Sequence, residues 1–224
     1  ITYSDDLDGL RKIPEGLDVD EKYIGTRVSK IPDPFECHDS YGSHMSSLLL
    51  DGLNDLGIKY IHKTAHETYT KGLLNDQILK ILDNRKKIGD KIEELTGQQK
   101  FQNILPYFPE CHNCGKLYTT ESFEYIKDEK KVLYRCKDSE IGSEWDKNKD
   151  KKEKYFGCGH KGESIIGKDL GKLAWKVEFA ARWKIFDVRF EAYGKDIMDS
   201  VNVNDWISDE ILNFDHPHHI RYEM

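Results

Sequence analysis

The chain has 224 residues, 38% of them hydrophobic and 33% charged, and carries a formal net charge of −7. That length supports one large or two small domains with a sizeable core. Its 12 Tyr, 9 Phe and 4 Trp exclude a disordered chain, no apolar run is long enough to span a membrane, and the acidic balance excludes wholesale nucleic-acid binding. Any RNA contact must be a local patch or lie in another part of the protein.

Residues 1 to about 40 carry Pro14, Pro32 and Pro34 and read as an irregular run leaving the end of a strand. Met45, Leu48, Leu49, Leu53 and Leu56 recur at three- and four-residue spacing and predict a helix over 41–56 that Gly57 ends. A short strand is expected over 58–61. Leu74, Ile78, Ile81, Ile88, Ile92 and Leu95 then predict one long helix closed near Gly97. From about 103 to 163 short β-prone runs, 123–126 and 132–134, fall between cysteines, and the lysine-rich stretch 147–154 reads as a solvated loop. A helix over 171–186, a strand over 188–192 and a last helix near 204–212 follow. Strands and helices alternate on both sides of a cysteine-bearing insert, which is an α/β pattern interrupted by a small metal-stapled unit. The divisions fall at 1–102, 103–168 and 169–224.

The chain begins at Ile1 with no signal peptide, and both ends read as cut. Five cysteines, an odd number, argue against a secreted disulfide framework and for a reducing, cytoplasmic setting. Cys111-His112-Asn113-Cys114 is a C-x-x-C knuckle followed by Gly115, and Cys136 and Cys158 follow at equal intervals. Thiolates at these spacings supply the four soft ligands of a structural zinc, with His160 the alternative to Cys158. The zinc-deaminase pattern is not met, no H-E-x-x-H accompanies His62 and His66, and Cys37 reads as a bystander thiol. His216-Pro217-His218-His219 reads as a loop.

Asp5, Asp6 and Asp8 gather three carboxylates after a strand end, where open α/β sheets bind ligands. They suit a cationic ligand, and a solvated turn at Asp8-Gly9 is the plainer reading. Gly194-Lys195-Asp196 closes the strand over 188–192, where glycine admits a flat ligand and the aspartate accepts ribose hydroxyls. A simple turn has the same pattern. Trp175, Phe179 and Trp183 share one helix face, as core or as a ligand platform.

In order, these blocks resemble one family, class I lysyl-tRNA synthetase. The resemblance spans Ser4 to Pro14, Asp33-Pro34, the four cysteines, Gly171 to Trp183, Gly194-Lys195-Asp196 and Ile220 to Glu223. The version over Gly194 to Val201 resembles the bacterial branch. The resemblance implies part of a Rossmann-like catalytic domain with a small zinc-bearing insert, in an enzyme that activates lysine with ATP and charges tRNA(Lys). It implies that Asp5, Asp6 and Asp8 line the pocket for a cationic amino acid, with Trp175, Glu178, Phe179 and Arg182 as its wall. Gly194, Lys195 and Asp196 would hold ATP, and Cys111, Cys114, Cys136 and Cys158 zinc. The family has Asp-Trp where this chain has Glu178-Phe179. Neither the HIGH-type nor the KMSKS-type motif is present, so this stretch alone is expected not to make adenylate, and no residue is assigned to catalysis itself. A class I synthetase for another amino acid and a non-catalytic zinc-ribbon binding module are the competing readings.

Overall fold

The computed structural model describes residues 1–142 and 152–223. The chain forms two compact units, interleaved in sequence: Ile1–Thr70 with Glu110–Thr120 and Arg135–Gly162, and Lys71–Pro109 with Glu121–Tyr134 and Glu163–Met224.

In the first unit, β1 (Thr2–Ser4) pairs in parallel with β2 (His62–Thr64), with Thr2 opposite His62 and Ser4 opposite Thr64. Parallel strands need a long crossover, and it contains α1 (Tyr41–Asp55). Ser40 caps α1 by accepting the Ser43 N–H, and Gly57, at φ 67°, turns the chain out of it. Leu10, Ile31 and Tyr41 are buried together, with Ile13, Leu17, Val19, Tyr23 and Val28 packed around them. The irregular run over residues 1–40 is therefore a folded loop with its own apolar centre. The strand expected over 58–61 lies further on, at β2, and the short α2 (Ala65–Thr70) follows it directly. His62 and His66 thus lie on different elements.

In the second unit, the long helix expected over 74–97 is two helices, α3 (Asn75–Asp83) and α4 (Arg85–Thr96). The break is Asn84, at φ −101° and ψ 14°, whose side-chain amide donates to the Lys80 carbonyl. Asparagine competes for backbone bonds in this way, and the apolar spacing on either side does not register it. Gly97 closes α4 in the left-handed region at φ 70°, as expected.

β3 (Tyr107–Pro109) runs antiparallel to β9 (Gly171–Leu173). A side chain at Gly171 would overlap the Tyr107 ring. The helix expected from 171 therefore starts only at Trp175, because 171–173 is strand; α5 is Trp175–Phe186. β4 (Thr120–Ile126), β5 (Lys131–Cys136) and β8 (Lys161–Ile165) form a three-stranded sheet in that order. β6 (Ser139–Gly142) and β7 (Lys152–Tyr155) are antiparallel. The loop expected over 147–154 lies partly outside the described residues, and 152–154 is strand.

β10 (Phe190–Gly194) pairs in parallel with β11 (His218–Tyr222) through a crossover containing α6 (Met198–Glu210). The stretch 216–219 is thus half loop and half strand. α5 packs on α6, and the fully buried Asn204 ties them together. Its side-chain oxygen accepts the Ala180 N–H at 2.9 Å, and its amide donates to Trp175 and Ser200 carbonyls at 2.9 and 2.7 Å. Ile78, Ile81, Leu82, Ile88, Ile92, Trp183, Val203 and Ile207 are among the buried side chains of this unit.

Candidate functional site

The Cys111–Cys114 knuckle turns on Gly115, at φ 71°, whose N–H donates to the Cys111 carbonyl at 2.8 Å. The turn brings Cys111, Cys114, Cys136 and Cys158 together, every Sγ within 4.8 Å of the others. Cys111 lies 3.6 Å from Cys158 and Cys114 3.7 Å from Cys136. A tetrahedron with zinc–sulfur bonds of about 2.3 Å has edges of about 3.8 Å, so the donor set fits that ion, while the separations are far beyond a disulfide.

The Cys158 N–H and the Thr119 hydroxyl lie 3.3 and 3.1 Å from the Cys136 sulfur, in the supporting role such groups play at metal sites. Burial raises the Cys114 and Cys136 thiols. At Cys158 burial acts the same way, but the Asn113 side chain, the His160 N–H and the neighbouring thiols outweigh it and lower the group to about 6.

A second donor cluster was not anticipated. Asp33, Cys37, His38 and His44 place their ligand atoms within 4.8 Å of one another. Cys37, read as a bystander, lies 3.2 Å from both His38 Nδ1 and His44 Nδ1. The Asp33 carboxylate is 3.7 and 3.5 Å from the same two nitrogens. Burial would raise Asp33, but N–H bonds from Phe35, Cys37 and His38 outweigh it and bring the carboxyl to about 2. The Phe35 ring stacks on His44 with centroids 4.2 Å apart. One carboxylate, one thiol and two imidazoles form a donor set for a transition metal. The sequence signal was the density of Asp, Cys and His between 33 and 44, which considering Cys37 alone passes over.

The acidic turn is divided. Asp5 and Asp6 border a cavity of about 230 Å³ with Tyr3, Ser4, Gly42 and Met45, and Asp8 is not part of that lining. Asp6 accepts the His66 N–H at 2.7 Å. Burial pushes Asp6 up despite that bond.

In the second unit, Glu178 is fully buried with its carboxylate 3.5 Å from the buried Lys172 ammonium, and Phe179 is buried between Trp175 and Trp183. The aromatic stripe is thus mostly core, and Trp175 alone of the three is exposed, at 37%. The Arg182 guanidinium lies 4.9 Å from the centre of the Phe179 ring. Gly194 ends β10, and a side chain there would overlap the Asp196 carboxylate. Lys195 pairs with Glu223 at 2.5 Å.

The family model described as tRNA synthetases class I (K) matches residues 1–224. The chain belongs to this family. It is 60% identical over its whole length to a lysine–tRNA ligase of Cenarchaeum symbiosum, of which it covers 41%. It is 32% identical over 98% of its length to a lysine–tRNA ligase of Archaeoglobus fulgidus, and 33% identical over all of it to one of Methanococcus maripaludis, covering 41% and 39% of them. The chain thus spans about two fifths of these relatives. They are archaeal, so the bacterial-branch expectation is not supported. As a class I synthetase domain the chain mixes helix and strand, as expected. No helix among the described residues is long and apolar enough to cross a membrane.

Proposed function

We propose that the whole protein, a cytoplasmic enzyme, activates lysine with ATP and transfers the lysyl group to tRNA(Lys). The observation that carries this reading is the 60% identity, over the entire chain, to a relative named lysine–tRNA ligase. In the first step a lysine carboxylate oxygen attacks the α-phosphate of ATP, forming lysyl-adenylate and releasing pyrophosphate. In the second a terminal ribose hydroxyl of the tRNA attacks the adenylate carbonyl and AMP leaves. Both steps depend on positioning and on stabilising charge.

In this reading the chain supplies part of a Rossmann-like domain and a zinc insert at 103–168. Asp5 and Asp6, at the lining of their cavity, and Asp8 present acids to the cationic amino acid. Of the residues expected to contact lysine from the second unit, Trp175 is exposed and Arg182 half-buried, while Glu178, beside Lys172, and Phe179 are buried. Gly194, Lys195 and Asp196 bind ATP, with Gly194 and Asp196 at its adenosine. Cys111, Cys114, Cys136 and Cys158 hold zinc with no open position, which makes that ion structural. Asp33, Cys37, His38 and His44 hold a second ion. Lysine-dependent ATP–pyrophosphate exchange by the whole gene product tests the reading. Exchange with a different amino acid would move it to another class I specificity, and none with any amino acid would favour a binding module.

A further inference from the structure

Three stretches of the first unit lie edge to edge. The Val28 and Ser29 N–H groups donate to the Asp8 and Asp6 carbonyls, both at 2.9 Å, and Leu10 donates to Thr26 at 2.8 Å. On the other edge Thr26 bridges Lys116, and Leu117 donates to the Gly25 carbonyl at 3.0 Å. The segment 25–29 therefore stands between the acidic turn and the cysteine knuckle.

Arg27 joins the same two parts through its side chain. Its Nε donates to Glu110 Oε2 at 2.6 Å, and Glu110 is the residue before Cys111. Its Nη1 donates to Ser29 Oγ at 3.0 Å and lies 3.3 Å from His66 Nδ1. A guanidinium only donates, so His66 Nδ1 accepts and the ring proton sits on Nε2. The His66 backbone N–H in turn donates to Asp6. A continuous path thus runs from the knuckle through Glu110, Arg27 and His66 to the Asp6 carboxylate. Only 15% of the Arg27 side chain and 18% of Glu110 are exposed, so this charge-assisted bond is less screened than a surface pair. Lys30 reaches the other Glu110 oxygen at 3.1 Å but is 46% exposed and more weakly held.

We propose that Arg27 is a positioning residue that couples the cysteine knuckle to Asp6, so that metal held by the four cysteines orders the acidic turn. Metal fixes Cys111 against three other sulfurs and so fixes Glu110 beside it. Without metal the knuckle is released, and Arg27 loses the anchor that holds it against His66. The coupling is reciprocal, so the clamp also favours metal retention by the same factor. The inference rests on the synthetase reading only where it names lysine as the ligand.

The test uses the whole gene product, purified with zinc and compared before and after chelation. Hydrogen exchange of the His66 amide is expected to speed up about tenfold when zinc is removed from the wild type. In Arg27→Met it is already fast with zinc bound and changes little on chelation. Chelator competition should show zinc held about tenfold less tightly in Arg27→Met. Glu110→Gln should reproduce both effects, the double variant should be no worse than either single one, and Arg27→Lys should restore part of each. Should Arg27→Met fail to fold, Glu110→Gln carries the same expectations, and Arg27→Lys a smaller change in each.

Slow His66 exchange and wild-type zinc retention in folded Arg27→Met would overturn the proposal. In lysine-dependent exchange, Arg27→Met is expected to raise KM for lysine about tenfold with kcat within about twofold of wild type. Absence of lysine-dependent exchange in the wild type would sink the synthetase reading alone, leaving the clamp to be judged by amide exchange and zinc retention.

Discussion

Lys172 and Glu178 form an ion pair inside the second unit, the lysine side chain 4% exposed and the glutamate not at all, with nitrogen and oxygen 3.5 Å apart. At an effective dielectric of about 20, two unit charges at that distance attract by about 5 kcal/mol. Desolvation of both charges offsets much of this, so the pair itself adds little net stability. Removing one partner is different. Lys172→Met leaves the Glu178 carboxylate buried without that cation, and the expected loss is about 3–5 kcal/mol. Lys172→Met/Glu178→Gln removes both charges and should lie within about 1 kcal/mol of the wild type. Urea unfolding followed by tryptophan fluorescence measures both, since Trp175, Trp183 and Trp206 all belong to this unit. With a urea dependence of about 3 kcal/mol per molar, the single variant should unfold about 1–2 M earlier. A midpoint within about 0.3 M of wild type, or a double variant as unstable as the two singles added together, would refute the reasoning.

Zinc uptake at the four cysteines should strengthen as pH rises through neutrality, because zinc binds thiolates and the raised Cys114 and Cys136 thiols must each release a proton; a pH-independent chelator competition would contradict this. Elemental analysis should find two metal ions per chain, with Cys114→Ser removing one and Asp33→Asn the other; a single ion unaffected by Asp33→Asn would count against the second cluster. In the metal-free chain Asp33 has a folded pKa of about 2, below its ordinary 3.8, so the stability it contributes is present above about pH 4 and lost as pH falls toward 2. Asp33→Asn should flatten that part of an acid titration followed by circular dichroism. Gly97→Ala forces a side chain into the left-handed region with no steric overlap, so thermal unfolding should show a loss of about 1 kcal/mol.

Local chemistry made some of this legible. The three- and four-residue apolar spacing located α1, Gly97 closed α4, and Cys111-x-x-Cys114-Gly115 announced a knuckle. The same spacing misled where its meaning depended on surroundings. Met45, Leu48 and Leu49 define a helix correctly, yet they stand 47%, 56% and 48% exposed. Periodicity reports a helix and not what covers its face. The break at Asn84 escaped the apolar pattern because one side chain bonding its own backbone decides it.

The sequence by itself determined the family resemblance, the four-cysteine set and the identity of the acidic turn, because each is written in neighbouring residues or in residue types with one dominant chemistry. Only the tertiary structure decided which acids face a cavity, that Glu178 is held by Lys172, that Cys37 belongs to a donor cluster, and that Arg27 meets Glu110 across 83 residues of chain. Those outcomes rest on burial and on contacts that chain folding brings together. A carboxylate in solution, one beside a lysine and one among backbone N–H groups share a letter in the sequence, and differ in charge and reach only once their neighbours are in place.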